Sequence, residues 1–143
     1  MSRILVPVDP TEPARTRSAI EEAVRLCADE PGTVELLRVV PRVSSHVAMF
    51  FDNRELHHLQ QDAGLEELAF ARSLLDAAGV PYTSTVLVGR SANTIVSTAR
   101  EHRCDRIVFG REEPSLAGRL FGSLAHQVRQ LVGARPDMQV IGS

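Results

Sequence analysis

A formal net charge of −2, from 16 basic and 18 acidic residues in a chain of 143, provides no broad basic field for nucleic acid. The absence of Trp, with one Tyr and five Phe, leaves few side chains on which single-stranded bases could stack. Because 43% of the residues are apolar and the chain is long enough to bury a core, we predict one globular domain over residues 1–143.

The chain begins with an apolar run at residues 3–8 that is continuous rather than alternating. Such a run predicts a central strand covered on both faces, although Pro7 cannot donate to a sheet ladder. The run is too short for a signal peptide and ends in the carboxylate of Asp9. No segment approaches the ~20 apolar residues of a membrane helix. Cys27 and Cys104 form no disulfide or metal pattern, so we expect a cytoplasmic protein that does not contact a membrane.

A helix and a second strand follow. Thr11 can cap the helix and Pro13 falls in its first turn. Apolar residues recur at helical spacing as far as Cys27, before Pro31 and Gly32 end the helix. Residues 33–40 then predict the second strand.

Residues 42–53 have no clear period and contain the apolar cluster Met49-Phe50-Phe51. This cluster fits a loop packed onto the core. It also fits a lid or a contact for a partner.

The second half continues the alternation of helices and strands. Residues 55–78 predict one long helix, which Gly79 and Pro81 end. Strands are predicted at 81–88, 106–109 and 138–141, with a helix that Ser91 caps and another over 124–132.

The alternation predicts an α/β fold: a three-layer, Rossmann-like sandwich in which helices cover both faces of a five-stranded parallel sheet. Ligands of such sheets bind beyond the carboxyl ends of the strands, where the strand order reverses. This rule selects the residues that close strands, which are Asp9, Val40, Gly89 and Gly110.

Five pieces of the chain stand in a specific order and spacing: Ile-Leu-Val-Pro-Val-Asp at 4–9, Glu-Leu-Leu-Arg-Val-Val-Pro at 35–41, Val-Gly at 88–89, Cys-Asp-Arg-Ile-Val-Phe-Gly at 104–110 and Leu-Phe-Gly-Ser-Leu-Ala at 120–125. Through these pieces the chain resembles the universal stress protein family over nearly its whole length. The resemblance implies a sheet whose first and fourth strands are adjacent. It also implies a homodimer built on the last strand, which would satisfy an otherwise unpaired sheet edge.

Members of the family that bind ATP carry Gly-x2-Gly-x9-Gly followed by Ser or Thr. By this resemblance Gly110 matches the first glycine, and Gly122 with Ser123 matches the end of the motif. Glu113 stands where the second glycine is expected, and the spacing from Gly110 to Gly122 is twelve positions instead of thirteen. The family pattern also places Asp9 beside the adenosine and the Val40 backbone at the adenine edge.

Each of these residues has a purely structural interpretation as well. Gly110 can serve a turn that needs positive φ, Ser123 can cap the helix that follows it, and Asp9 can serve a turn or a cap.

The acidic residues of the loop after Gly110 disfavour the binding of a triphosphate. A carboxylate about 4 Å from a phosphate charge costs roughly 1 to 4 kcal/mol, which counts against ATP near Glu112 and Glu113. Arg111, Arg119 or a Mg²⁺ ion could offset that repulsion, and AMP would meet less of it.

Other chemistry is weakly supported. Adjacent residues on a helix point about 100° apart, so His57 and His58 do not converge on one metal ion. The sequence has no nucleophile elbow, no Walker-type loop and no Lys.

We therefore expect a regulatory protein of the stress response, not an efficient enzyme, that binds ATP or another adenine nucleotide. The alternative is a dimeric interaction module with a vestigial pocket and an unknown protein partner. A slow ATPase is the third hypothesis.

Overall fold

The computed structural model describes residues 2–111 and 124–142. These contain five strands and six helices: β1 Ser2–Pro7, α1 Pro13–Asp29, β2 Gly32–Val40, α2 Ser45–Ala48, α3 Asn53–Glu67, α4 Ala69–Ala78, β3 Tyr82–Val88, α5 Ser91–Glu101, β4 Arg106–Val108, α6 Leu124–Val132 and β5 Gln139–Ile141. Within these residues, no helix has both the length and the apolar character that crossing a membrane requires.

The five strands form one parallel sheet in the order β3-β2-β1-β4-β5. The chain builds outward from β1 in one direction, then returns to place β4 on the other side of β1. The order therefore reverses between β1 and β4, as predicted, and β5 lies at one edge.

Helices cover both faces of the sheet, which confirms the three-layer prediction. Alternate residues of each inner strand point to opposite faces. Leu5, Leu37 and Ile107 pack with residues of α5 and α6 on one face. Ile4 and Leu36 pack with α1 and α4 on the other face.

Pro7 does not prevent β1 from being a central strand, because it is the last residue of the strand. It pairs with Leu37, and the next residue, Val8, donates its N–H to the Leu37 carbonyl at 2.9 Å. The missing N–H of Pro7 therefore falls where the ladder ends.

The prediction of one helix over 55–78 is wrong, because the chain bends at Leu68 between α3 and α4. Leu68 is fully buried, and its N–H is shared between the carbonyls of Gly64 and Leu65 at 3.2 Å each. Gly64 brings α3 against β3: a Cβ on Gly64 would lie 2.4 Å from Val86 Cγ1. α3 therefore packs on β3, whereas α4 packs on α1, so the two helices meet different parts of the core.

The segment over 42–53 also differs from its prediction. Ser44 caps the short helix α2 by accepting from the Val47 N–H at 3.2 Å, and Asp52 caps α3 by accepting from the Glu55 N–H at 2.7 Å. The residues between the two helices bulge outward, so Met49 is 76% exposed and Phe50 73% exposed. The interpretation of this cluster as a loop packed onto the core is therefore wrong.

Candidate functional site

A cavity of about 180 Å³ lies where the strand order reverses. Its walls come from the carboxyl ends of β1, β2 and β4, the first two turns of α1 and of α5, and Leu124 of α6. The polar or charged side chains in these walls belong to Asp9, Arg15, Thr16, Arg38 and Ser91. The structure thus brings residues that are far apart in sequence to the place that the fold prediction selected.

Asp9 lines the cavity and also holds the turn before α1. Its Oδ1 accepts from the Thr11 N–H at 2.9 Å and from the Thr11 hydroxyl at 2.7 Å. Thr11 was predicted to cap α1, and this prediction is wrong. The cap position is Glu12, whose side chain makes no capping hydrogen bond. The turn role of Asp9 uses one carboxylate oxygen and leaves Oδ2 without a hydrogen bond from the described residues.

Val40 closes β2, but its carbonyl is directed away from the cavity. It accepts from the Gly89 N–H at 3.0 Å, on the side of β3. Val39, one residue earlier, is in the cavity wall. Because residues of a strand face alternate sides, Val39 presents its backbone edge toward β1, and the β1 pairing ends at Pro7 opposite Leu37. The sequence did not single out Val39.

Gly110 lines the cavity as well, and its structural role is not the expected one. Its φ is not positive, so the interpretation of Gly110 as a turn residue needing positive φ is wrong. A Cβ at this position would lie 1.8 Å from the carbonyl oxygen of Arg15. Glycine is required because the end of β4 meets the backbone of α1.

Arg111 lies outside the cavity wall. Its N–H donates to Ser18 Oγ at 3.1 Å, and it lines a separate, outer cleft between α1 and the ends of β4 and β5. The pKa of Glu22 in this cleft is lowered chiefly by a hydrogen bond from Arg25, and the charge of Arg111 contributes to the same direction.

Two arginines of the cavity wall were missed in the sequence. Arg15 stands in the first turn of α1 and donates from Nη1 to Glu12 Oε2 at 2.9 Å. Arg38 pairs with Glu67 of α3 at 3.2 Å. Arg38 did leave a signal, since a charged residue inside the run Leu-Leu-Arg-Val-Val must find a polar partner or a polar space.

Several predictions fall on residues outside the described part of the chain. These are the roles of Gly122 and Ser123 in phosphate binding, and the charges of Glu112, Glu113 and Arg119.

The predicted cap of α5 lies on described residues and is wrong. The cap position is Arg90, without a side-chain hydrogen bond, and Ser91 is the first helical residue.

Metal and thiol chemistry find little support in the described residues. Within residues 2–111 and 124–142, no three His, Cys, Asp or Glu side chains are placed to hold a metal ion. Burial raises the pKa of the Cys27 thiol, and burial with the nearby Glu35 charge raises that of Cys104 to about 12. Both thiols are therefore protonated at neutral pH, which makes them poor nucleophiles.

The chain is similar to known proteins in sequence and in fold. The model of the universal stress protein family matches residues 1–132. No curated protein matches the chain significantly.

Solved structures match over nearly the whole chain. A universal stress protein in complex with cAMP has a TM-score of 0.72 and 19% identity, and the match covers 99% of this chain and 96% of that one. The universal stress protein of Archaeoglobus fulgidus has a TM-score of 0.71 and 23% identity, covering 99% and 98%. The Archaeoglobus fulgidus protein in complex with dAMP has a TM-score of 0.66 and 19% identity, covering 99% and 97%. At these identities the likeness shows the fold.

Proposed function

The chain belongs to the universal stress protein family, and from this premise we propose that it binds an adenine nucleotide in the cavity between β1 and β4. The ligand is ATP, ADP or AMP, and the protein responds to it as a regulator in a stress response, without efficient turnover. The observation that carries the proposal is the position of the cavity, at the reversal of strand order where parallel sheets bind ligands. The complexes of two structural neighbours with cAMP and dAMP agree with an adenine ligand.

In this proposal the nucleoside lies against the ends of β1 and β2. The Asp9 carboxylate accepts hydrogen bonds from the ribose hydroxyls, for which Oδ2 is available. The base meets the backbone at the end of β2. Sequence resemblance assigned this contact to Val40. The geometry favours the N–H of Val39, because Val40 faces β3, where its carbonyl accepts from Gly89, whereas Val39 lines the cavity and only its carbonyl is used, by Arg38.

The phosphates extend from Gly110 toward the residues that follow β4. Gly110, Arg111, Gly122 and Ser123 are the residues proposed to contact them, and Mg²⁺ would supply further positive charge to the phosphates. Gly110 supports this assignment by lying in the cavity wall. Arg111 would have to turn its side chain from the outer cleft, where it lies near Glu22, to reach them.

We further propose that the protein is a cytoplasmic homodimer of single-domain chains, paired through β5. The support is that β5 is an edge strand of three residues, bonded to β4 on one side only within the described sheet. A second β5 would satisfy its outer edge.

The direct test is calorimetric titration of the purified protein with ATP, ADP and AMP. We expect at least one of them to bind, and Asp9→Ala to weaken binding about tenfold, since hydrogen bonds to a charged group are lost. Asp62→Ala is the matched control, because Asp62 is an exposed carboxylate on α3 that does not line the cavity. No heat with any of the three nucleotides at high micromolar concentration would overturn the proposal.

One observation favours the second candidate, a dimeric interaction module with a vestigial pocket. Met49 and Phe50 are exposed side by side, and such apolar side chains often mark a contact for a protein partner. The two candidates differ in what the native protein retains. Adenine nucleotide found by absorbance at 260 nm and by mass after purification without added ligand would count against the vestigial pocket.

A further inference from the structure

β3 forms the longer of the two edges of the sheet in the described part of the chain. It runs over the seven residues Tyr82–Val88, whereas β5 at the other edge has three. None of the seven is charged or a proline, so β3 lacks the side chains that commonly keep an edge strand from pairing with another chain. A dimer paired through β5, as proposed above, would leave the β3 edge of each chain at an end of the joined sheet.

The register of β3 against β2 determines which of its main-chain groups face outward. The Val34 N–H donates to the Pro81 carbonyl, and the Gly89 N–H donates to the Val40 carbonyl, both at 3.0 Å. Because the residues of a parallel strand bond alternately to its two sides, the odd-numbered residues of β3 face β2. The even-numbered residues direct their N–H and C=O groups away from the sheet, and these are Tyr82, Ser84, Val86 and Val88.

One of these outward groups has a partner on α3. Gln61 Nε2 donates to the Val86 carbonyl at 2.9 Å. No hydrogen bond from the described residues reaches the other outward groups, so both the N–H and the C=O of Ser84 remain available. At β5, by contrast, Val140 is the one strand residue that faces outward, and Arg129 bonds to the Gly142 carbonyl beside it.

The Gln61 contact favours a segment of a different protein over a second copy of this chain. Two β3 strands paired antiparallel about Ser84 would place Tyr82 of each copy opposite Val86 of the other. That pairing needs the Val86 carbonyl of both copies, and Gln61 already occupies it in each. A parallel segment can instead bond to the Tyr82 carbonyl, to both groups of Ser84 and to the Val86 N–H. These four hydrogen bonds leave the Gln61 contact intact.

The surface beside β3 indicates the charge of such a segment. On the face toward α5, Thr83 and Thr85 line a groove in which two arginines are matched by two carboxylates, which are Arg3, Arg103, Glu35 and Glu101. Leu87, on the same face of β3, is 37% exposed. Uncharged β-branched and small polar side chains pack well across from threonine and leucine, and a charged side chain would find no excess of opposite charge.

We propose that the outer edge of β3 binds an extended, uncharged segment of a partner protein as an additional parallel strand. Main-chain hydrogen bonds to Tyr82, Ser84 and Val86 hold the segment, and the side chains next to Thr83, Thr85 and Leu87 select it. No residue of β3 is among those that line the nucleotide cavity, so this site is separate from the one proposed above.

The test uses a synthetic peptide, acetyl-Thr-Val-Thr-Val-Ser-amide, and amide hydrogen exchange of the full chain followed by NMR. With the peptide raised until the amide signals stop shifting, we expect exchange of the Ser84 and Val86 amides to slow at least tenfold. The Val140 amide on the opposite edge should exchange at the same rate with and without peptide. Unchanged exchange at Ser84 and Val86, or equal slowing at Val140, would overturn the proposal.

Ser84→Pro removes an outward N–H and should weaken peptide binding about tenfold, as the loss of a hydrogen bond with added steric conflict predicts. Val140→Pro is the matched control, because it makes the same change at the outward residue of β5 and should leave peptide affinity unchanged. The peptide methylated on every amide nitrogen covers the case in which Ser84→Pro does not fold, which circular dichroism would detect. It cannot donate hydrogen bonds and should not bind; binding as tight as that of the unmethylated peptide would overturn main-chain pairing.

Sedimentation of the protein without peptide distinguishes the other occupant. We expect the mass of the wild-type chain to be unaffected by Ser84→Pro, since β3 does not pair with its own copy. An assembly that Ser84→Pro abolishes and Val140→Pro preserves would assign the edge to a second copy and overturn the proposal.

Discussion

The two ends of the sheet differ in how far the chain itself provides hydrogen-bond partners for their polar groups. At the amino end the Glu35 carboxylate is 2% exposed, and its oxygens lie 2.7 and 2.8 Å from His102 Nδ1. Arg3 Nη2 approaches the same carboxylate at 3.4 Å. At the carboxyl end Asp9 is exposed, and the backbone of Val39 faces a gap where β1 has ended.

We infer that the amino end of the sheet serves stability and that the carboxyl end serves ligand binding. The charged groups at the amino end are satisfied by the chain itself, as the buried Glu35 must be. At the carboxyl end Arg38 occupies the Val39 carbonyl, but the Oδ2 atom of Asp9 borders the cavity without a hydrogen bond from the described residues and is available to a ligand. Substitutions at the two ends should therefore separate loss of stability from loss of binding.

The largest effect on stability is expected for His102→Ala. It removes the closest partner of a buried carboxylate and leaves Arg3 alone, at 3.4 Å, to compensate the charge. We expect the free energy of unfolding to fall by about 3 kcal/mol, measured by urea denaturation. Nucleotide affinity at a temperature where the variant is folded should stay unchanged.

His58→Ala is the control for this substitution, because His58 is exposed on α3 and should cost less than about 0.5 kcal/mol. A large change of nucleotide affinity in His102→Ala would show that the amino end of the sheet also affects binding. That result would contradict the assignment of stability to one end and binding to the other.

Gly110→Ala should affect both properties, because Gly110 belongs to the cavity and to the contact between β4 and α1. The new Cβ would lie 1.8 Å from the Arg15 carbonyl, so α1 must move. We expect a loss of about 2 kcal/mol of stability and weaker nucleotide binding.

Gly133→Ala separates this effect from the general cost of replacing glycine. Gly133 has φ +68°, and a Cβ added there would meet no atom within 4 Å, so its replacement costs about 1 kcal/mol through the backbone alone. The two variants could instead lose the same stability while both keep full nucleotide affinity. That result would show that the close approach of α1 to Gly110 contributes neither extra stability nor binding.

The smallest expected effect is a gain in the free energy of unfolding from a substitution at the amino end of the sheet. Arg103 follows the last turn of α5 with φ 54°, a left-handed conformation that favours glycine. Arg103→Gly should relieve that strain, and the added flexibility of the unfolded chain offsets part of the gain. We expect about 0.5 kcal/mol of added stability in urea denaturation. Arg103→Ala, which keeps a Cβ, should show no gain; an equal gain would assign the effect to the lost side chain.

Most of the sheet could be predicted from the sequence, because continuous apolar runs mark strands that are buried on both faces. The bend at Leu68 could not, since Leu68 continues the apolar stripe and only the packing of α3 on β3 and α4 on α1 separates the helices. Similarly, the capping roles given to Thr11 and Ser91 rested on residue type alone. The structure uses Thr11 to hold Asp9 and starts α5 at Ser91.

The candidate site was predictable as a location more than as a set of contacts. The ends of β1 and β4 selected Asp9 and Gly110, and both line the cavity. The difference between Val39 and Val40 depends on which side of β2 each backbone faces, and this needs the register. Arg38 required knowledge of its neighbours Glu67 and Val39.

Hydrogen–deuterium exchange with and without saturating AMP tests the separation of the two ends most directly, because it locates the ligand on the chain. We predict slower exchange in residues 37–40 and 109–111, at the carboxyl ends of β2 and β4. Residues 101–105, beside Glu35 at the amino end, should exchange at the same rate in both samples. Protection confined to residues 101–105, or none anywhere at saturating AMP, would contradict the assignment of binding to the carboxyl end.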